Sequence, residues 1–206
     1  KGSNETTITG EIKGLGTDTL YLYGMDELYD RIDTIYVEND KFSYTTSVDT
    51  ITSAYLLLKN RIEYPVFLDK GNKIKIKGDT INLNFLTISG NIYNEEFTDF
   101  QKALEDPADP SEKAGEETVD KRITVEKANT AEEMAEEFIL QHHSSYVSLY
   151  LLDKYFVQKE TPDFSKIKKL VEVMTGVLQD KPYIERLNET ITQAEKSEIG
   201  KYAPFF

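Results

Sequence analysis

The sequence of 206 residues contains no cysteine, no tryptophan and only two histidines. Without cysteine, the chain can form no disulfide, thiolate metal site or catalytic thiol. Two histidines without a thiolate also fall short of the usual zinc ligand set, so no metal and no cofactor is predicted. No run of apolar residues approaches the roughly 20 that a membrane-spanning helix needs.

Positive charge is also scarce, since 24 Lys and Arg residues face 37 Asp and Glu residues, for a net charge of −13. Binding to nucleic acid or to an anionic membrane surface relies on clustered basic residues, so neither partner is predicted. The chain does contain bulky apolar side chains, with 13 Tyr and 10 Phe. Disordered chains lack such residues, and a chain of this length can bury a core.

Residues 1–5 are polar and begin with Lys1-Gly2-Ser3. They resemble the flexible tether that follows the lipid-bearing cysteine of bacterial lipoproteins. A frayed terminus or a cloning boundary is the alternative interpretation.

Residues 6–92 alternate between polar and apolar side chains as strands do, most clearly at 7–12 and 73–77. About eight short strands at this spacing predict an antiparallel β-sandwich or open barrel. Pro65 cannot donate to a ladder, so its strand is predicted to lie at an edge or to contain a bulge. Turn-forming residues separate the strands at 14–16, 39–40 and 70–72. The other strand candidates are 19–23, 31–38, 41–48, 53–59, 62–69 and 83–89.

After residue 92, apolar residues are spaced four, three and four apart, which is typical of one helix face. These residues are Tyr93, Phe97, Phe100 and Leu104. Residues 93–199 are therefore predicted to form an all-helical domain, which makes the chain α+β. Residues 105–118 hold two prolines and many charges and are predicted to be a loop or linker.

Local signals mark the starts of the helices. Thr130 and Glu133 match a capping box, which predicts a helix start at Thr130. Capping residues or a proline at the first helical position mark three further starts. These lie at Ser144-Ser145 for a helix over 146–157, at Thr161-Pro162 for a helix to about 179, and at Pro182 for the last helix.

The two histidines, His142 and His143, are adjacent. Neighbouring helix residues point about 100° apart, so the pair cannot hold one ion together, and a polar helix end is the preferred interpretation. Ser144 and Ser145 beside them lack the G-x-S-x-G setting of a catalytic serine and are interpreted as helix caps.

Residues 26–33 contain four carboxylates, Asp26, Glu27, Asp30 and Asp33. Paired carboxylates could serve glycoside hydrolysis or calcium binding, but the spacing does not match a calcium loop. The preferred interpretation is a solvated loop between strands, in which Asp33 bonds to nearby amides.

Lys73, Lys75 and Lys77 share one face of a predicted strand. Such a row can bind phosphates or sulfated sugars, but the preferred interpretation is that it keeps a solvent-facing strand from pairing with a neighbour. Six tyrosines of the strand half could stack on sugars, although Tyr is also a common strand residue and a structural role is preferred. They are Tyr21, Tyr23, Tyr36, Tyr44, Tyr55 and Tyr64. Gly14-Leu15-Gly16 is too short for a phosphate-binding loop. Since each candidate motif has a structural interpretation that is preferred, no catalytic, cofactor-binding or metal-binding residue is predicted.

The strand half resembles a known family in the order of its motifs. The motifs are ITGEIKGLGTDTLYLY, RIDTIYVENDKFSY, FLDKGNKIKIKGD and TISGNIYNEEFTDFQ. They are similar to the N-terminal β domain of unknown function that precedes thioredoxin-like domains in envelope proteins of Gram-negative bacteria. Matching positions are Gly10, Ile32-Asp33-Thr34, Lys41-Phe42, Gly71, Gly90, Asn94 and Phe100. Two positions depart from the family pattern: Asn39-Asp40 replaces the usual Asp-Gly, and Asp69 replaces the usual Glu.

Two later segments extend the resemblance. HHSSYVSLYLLDKYF is similar to the family's H-P-x-S-x-x-S helix, with His143 in place of Pro. Residues 199–206 resemble the V-G-x-x-A-P-x-F segment that leads into a thioredoxin-like domain of the TlpA/ResA type, with Phe205 in place of a polar residue.

The resemblance implies a non-catalytic accessory region of a membrane-anchored thiol–disulfide oxidoreductase, acting as a spacer, in dimerisation or in substrate presentation. The C-x-x-C motif would lie in a thioredoxin-like domain that begins at 200–206 and continues beyond residue 206. The implied partners are that domain, a second copy of the chain and envelope protein substrates. The implied location is the periplasmic side of the cell envelope, with a lipid anchor upstream of residue 1.

Two alternatives remain open at this point. The first is a stand-alone envelope module that binds a glycan or a peptide through exposed tyrosines. The second is a hydrolase that uses the carboxylates of 26–33.

Overall fold

The computed structural model describes residues 4–105 and 120–202, without the side chains of 120–129 and 199–202. The chain divides into two compact units, Lys1–Pro110 and Ser111–Phe206. Residues 1–3 of the predicted tether, nearly all of the predicted loop at 105–118 and the last four residues of the predicted onward domain lie outside the described residues.

The first unit contains eight strands, and the helices follow it, so the predicted α+β class is confirmed. The alternation of polar and apolar residues places seven of the strands close to their predicted bounds. In the candidate at 83–89, only 87–89 is a strand. The strands are β1 (Glu5–Lys13), β2 (Asp18–Gly24), β3 (Ile32–Val37), β4 (Lys41–Ser47), β5 (Thr52–Leu57), β6 (Glu63–Leu68), β7 (Lys73–Asp79) and β8 (Thr87–Ser89).

The strands form two four-stranded sheets. The first sheet has the order β4-β1-β7-β8, and the second has the order β3-β2-β5-β6. All pairs are antiparallel except β1 with β7, which run parallel. The predicted antiparallel β domain is therefore confirmed, with one parallel pair that the prediction did not include. Side chains alternate along a strand whichever way its neighbour runs, so the sequence pattern carries no sign of the parallel pair.

The core lies between the two sheets. Apolar side chains at alternate positions face inward and are almost fully buried. From the first sheet these include Ile8, Ile12, Ile74 and Ile76, and from the second Leu20, Leu22, Leu56 and Val66. Pro65 lies in β6 at an edge of the second sheet, as predicted. Asn39 and Asp40 join β3 to β4 with φ angles of 51° and 68°, so they form the turn that the usual Asp-Gly would form.

Helix α1 (Ile92–Glu105) belongs to the first unit. Its Phe97 ring lies 5.6 Å from the ring of Tyr64 on β6, and both side chains are buried. The unit therefore extends past residue 92, where the change of spacing indicated a boundary, because α1 buries its apolar face on the strands.

Polar side chains of α1 bond to the backbone at the edges of both sheets. The Asn94 side chain accepts from Phe67 N–H and donates to Phe67 O, both at 2.9 Å. Thr98 Oγ1 accepts from Ile88 N–H at 3.0 Å and donates to Ile88 O at 3.1 Å. Because Phe67 lies on β6 and Ile88 on β8, one helix covers an edge strand of each sheet. Edges covered in this way are not available for pairing with another chain.

The second unit contains α2 (Asp120–Gln141), α3 (Tyr146–Leu152), α4 (Phe164–Val173) and α5 (Pro182–Tyr202). Helix α3 continues as a π-helical turn over Asp153–Val157. Within the described side chains of this unit, the apolar residues that recur along α4 and α5 at helical spacing are buried. They are Ile167, Leu170, Val171 and Met174, and Ile184, Leu187 and Ile191.

The predicted helix starts are partly confirmed. Ser145 caps α3 by accepting from Val147 N–H at 3.2 Å, and α5 begins at Pro182. The start predicted at Thr130 is wrong, because α2 already begins at Asp120 and continues through this residue. The preceding residues 120–129 include five Lys, Arg, Glu and Ala residues, which favour helix, and contain neither glycine nor proline to end one.

The start of α4 also differs from the prediction. Asp163, two residues after the expected Thr161, caps this helix by accepting from Lys166 N–H at 3.1 Å. Asp is a stronger cap than Thr. The helix ends at Val173 and not near 179, and Gly176 follows with a φ of 65°.

Candidate functional site

The carboxylate-rich loop between β2 and β3 is held by a hydrogen-bonded group of side chains, here called the Tyr29–Asp33 cluster. The buried Tyr29 hydroxyl donates to Asp33 Oδ2 and lies 3.3 Å from Thr46 Oγ1. Arg31 Nε donates to Asp33 Oδ2 at 3.1 Å, and its Nη2 donates to Ser47 O at 2.7 Å. Because Asp33 lies on β3 while Thr46 and Ser47 lie on β4, the cluster ties the second sheet to the first.

The electrostatics of this cluster indicate a structural role. Burial, followed by the hydrogen bond to Asp33, raises the pKa of Tyr29. The same two causes raise the pKa of Tyr44 to about 12. Asp33 is thus occupied as an acceptor, and Asp26 Oδ1 accepts from Leu28 N–H at 2.9 Å within the turn. Asp26 and Asp33 therefore serve separate local bonds and do not share a site as a hydrolytic pair would.

The histidines and serines join α2 to α3. The ring of His142 stacks on Phe138 at 3.9 Å, and its Nδ1 donates to Phe138 O at 2.9 Å. His143 Nε2 donates to Leu140 O at 2.6 Å. The two imidazoles therefore bond to the last carbonyl groups of α2, where a helix leaves carbonyls without partners.

Four of the six tyrosines lie on the outer side of the second sheet, together with Ile32. We call this surface the tyrosine face, and its members are Tyr21, Tyr23, Ile32, Tyr36 and Tyr55. Tyr36 is 77% exposed, Ile32 73% and Tyr21 40%. The Tyr23 and Tyr55 rings lie 5.7 Å apart, and burial together with a hydrogen bond to Glu63 raises the pKa of Tyr23. Exposed aromatic and aliphatic side chains of this kind are enriched in the cores of protein interfaces.

The sequence identified these tyrosines as candidates but did not show that they share one surface. Tyr21 and Tyr36 lie on different strands, and only the register of β2 with β3 shows that they share one side. Ile32 was missed as a member of the surface. Its position opposite Tyr23 in the ladder is the signal that would have identified it, once the strand pairing is known.

Tyr64 has a structural role inside the sandwich. Its hydroxyl donates to Leu86 O and accepts from Leu86 N–H, both at 3.1 Å. Burial raises its pKa from 10.0 to about 12. The ring is therefore held neutral while it satisfies two buried backbone groups.

We expect Tyr64→Phe to lower the free energy of unfolding by about 2 kcal/mol near neutral pH, because Leu86 loses both partners. The pKa difference adds a pH dependence. Because the pKa of Tyr64 is higher in the folded protein than in the unfolded chain, the neutral ring contributes to the stability of the fold at pH values below 10.0. This contribution to the free energy of unfolding is lost as the pH rises from 10.0 towards about 12. Urea unfolding at several alkaline pH values should show that the free energy of unfolding falls more steeply with pH for the wild type than for Tyr64→Phe. Tyr36→Phe, on the exposed face, is the control, and identical pH profiles for the two variants would contradict the assignment.

The row of Lys73, Lys75 and Lys77 lies on the outer side of the first sheet. The interpretation that this row protects a free edge is wrong, because β7 is a central strand with β1 on one side and β8 on the other. Since both sets of ladder bonds of β7 are already used, lysines are not needed there to prevent pairing.

Among the side chains that the structure describes, residues 4–105 and 130–198, no group of three His, Asp or Glu residues could hold a metal ion. No helix in the described part of the chain is long and apolar enough to cross a bilayer.

Comparison with known families finds a similarity, which lies in the strand half. A family model described as "Domain of unknown function (DUF4369)" matches residues 6–97. The match covers the two sheets and the part of α1 that includes Asn94 and Phe97. The chain matches no curated protein and no solved structure.

Proposed function

We propose that this chain is the non-catalytic N-terminal accessory region of a membrane-anchored thiol–disulfide oxidoreductase. The order of its motifs resembles the region that precedes a thioredoxin-like domain, and its strand half matches a domain of unknown function. Thiol–disulfide exchange requires a thiolate, and the chain has no cysteine. The redox chemistry would therefore belong to a C-x-x-C domain after residue 206.

The observation that carries this proposal is the tyrosine face. A sheet whose outer side exposes Tyr36 and Ile32 to solvent has a surface suited to contact with another protein. The partner is the thioredoxin-like domain of the same protein, which the first unit would hold in position. In this role the tyrosine face supplies contact area, while the Tyr29–Asp33 cluster keeps the two sheets in a fixed relation.

The proposed location is the periplasmic side of the cell envelope, with a lipid anchor upstream of residue 1. A chain with a net charge of −13 is repelled by anionic head groups. This repulsion suits a spacer that keeps a redox domain away from the membrane surface.

Reading the gene on both sides of this chain tests the identity of the parent protein. We expect a lipid-modified cysteine upstream and a thioredoxin-like domain with C-x-x-C downstream. The chain alone should reduce insulin no faster than buffer, whereas the full-length protein should be active. A stop codon shortly after Phe206, or a following domain without C-x-x-C, would overturn the proposal.

Hydroxyl-radical footprinting of the full-length protein tests the contact separately. Tyr36 and Ile32 should be oxidised several-fold less in the full-length protein than in this chain alone. Ile81, which is 91% exposed away from the tyrosine face, is the internal control and should react equally in both. Equal oxidation of Tyr36 in both proteins would exclude the tyrosine face as the contact, even if the parent protein is an oxidoreductase.

A stand-alone glycan- or peptide-binding module is the second candidate function. It is favoured by the same exposed tyrosine rings, since aromatic faces stack on sugars and pack against peptides. The gene reading separates the two candidates, because only the accessory role requires a downstream redox domain.

A further inference from the structure

The outer side of the first sheet carries five exposed lysines, although the chain as a whole is strongly acidic. Lys13 on β1 lies beside Asp79 on β7, and the other four are Lys41 on β4 and Lys73, Lys75 and Lys77 on β7. Hydroxyl side chains fill most of the positions between and beside them. Together they form what we call the lysine face, whose hydroxyl members are Thr7, Thr9, Ser43, Thr45, Thr87 and Ser89.

The sheet spaces these groups regularly. Alternate residues of a strand lie about 7 Å apart, so the three lysines of β7 span about 13 Å. Thr9 on β1 lies beside Lys75, and Ser43 on β4 lies beside Thr9. The ammonium groups therefore form a line along β7, and beside them hydroxyl groups form rows that cross the neighbouring strands.

On the strands of this face positive charge exceeds negative charge, with five lysines against three carboxylates. Glu11 lies in one row between Lys41 and Lys77, Glu5 lies further along the same strand, and Asp79 follows Lys77 on β7. Among the ion pairs of the described residues, none includes any of the five lysines. Three ammonium groups in line repel one another, and β7 does not need them as edge protection because it is paired on both sides.

We propose that the lysine face is a binding site for an acidic polysaccharide. A linear polymer with regularly spaced sulfate or carboxylate groups complements a line of lysines, and its sugar hydroxyls can bond to the flanking Thr and Ser side chains. Basic residues clustered on a surface bind sulfated polymers of this kind. The proposal is independent of the accessory role, which uses the other sheet.

The composition of the lysine face argues against other anionic partners. Protein interfaces are depleted in Lys and Ser at their centres and enriched in aromatic residues, which the lysine face lacks. Single-stranded nucleic acids stack on aromatic side chains, and these are likewise missing from this surface. A membrane-surface site buries apolar side chains between the head groups, and the outward positions of this sheet are polar.

The experiment measures binding of the whole chain to heparin and to polygalacturonate, with neutral dextran as the reference polymer. We expect binding to at least one of the acidic polymers and none to dextran. Release of counterions by four lysine contacts should weaken binding about a hundredfold between about 50 and about 200 mM salt. The triple variant Lys73→Gln, Lys75→Gln, Lys77→Gln should bind about tenfold or more weakly at low salt.

A charge-matched variant separates the lysine face from general electrostatics. Lys59→Gln, Lys102→Gln and Lys169→Gln change three exposed lysines elsewhere and alter the net charge equally. This control should change binding less than about twofold. Thermal melts establish that both variants are folded. The proposal is overturned by failure of the chain to bind either acidic polymer, by equal losses in the two variants, or by binding to anionic lipid vesicles without binding to the polysaccharides.

Discussion

Replacing Gly90 with alanine is expected to destabilise the first unit by roughly 3–5 kcal/mol, which leaves little or no folded protein. Gly90 lies between β8 and α1 with a φ of +115°, a conformation that is essentially restricted to glycine. A Cβ atom at this position would also lie 2.4 Å from Lys73 O and 2.9 Å from Ile74 Cα. These are backbone atoms of a central strand, so they cannot move aside as a flexible side chain could.

Gly16→Ala is the matched control for this prediction. Gly16 also has a positive φ, +64°, but no atom lies within 4 Å of the added Cβ. This variant should therefore lose only about 1 kcal/mol, from the backbone conformation alone. Urea unfolding of the chain and of both variants measures the difference. Equal losses in the free energy of unfolding for the two variants would mean that the close approach of Gly90 to β7 does not contribute to the destabilisation.

Replacing Asn94 with alanine is expected to lower the free energy of unfolding by about 2–3 kcal/mol. The side chain is almost fully buried, and its loss leaves the buried N–H of Phe67 without a partner. Phe67 O keeps one donor, because Asn91 Nδ2 bonds to it at 2.8 Å. An orphaned buried backbone group costs about 1–3 kcal/mol, and the cavity left by the side chain adds to this loss.

Asn188→Ala on the exposed side of α5 controls for the gain in helix propensity that any Asn→Ala change brings. It should change stability by no more than about 0.5 kcal/mol. Urea unfolding again provides the comparison. Size-exclusion chromatography adds a second readout, since loosening α1 from β6 exposes an edge strand and should promote association. An Asn94 variant as stable as the Asn188 variant would show that α1 does not hold this edge.

The predictable parts of this fold are those encoded by local patterns. The alternation along β1 and β7, the turn at Asn39-Asp40 and the edge position of Pro65 all follow from neighbouring residues. The parallel pairing of β1 with β7 does not, because strands of either direction show the same alternation. The helix start predicted from the capping box at Thr130 was wrong for a related reason. Four residues that match a helix start carry no information on whether a helix has already begun upstream.

The candidate surfaces were harder to predict than the strands. Each outward residue is visible in the sequence as one member of an alternation, but a surface is formed by several strands in register. Tyr36 and Tyr21 became neighbours only through the pairing of β2 with β3. The lysines of β7 were misinterpreted because a strand's place in its sheet is set by distant partners, and this place decides whether a charged row guards an edge or covers a face.

The parallel pairing of β1 with β7 also determines the order in which this unit can be completed during synthesis. Residue 7 pairs with residue 73, so the first sheet cannot close until seven strands have left the ribosome. The second sheet needs only β2, β3, β5 and β6 and can form earlier. Contacts between such distant residues slow folding, because a long loop must close before they are gained. Until β7 has been synthesised, β1 can pair only with β4, and the side of β1 that β7 will cover is an unpaired strand edge, which is prone to association with other chains.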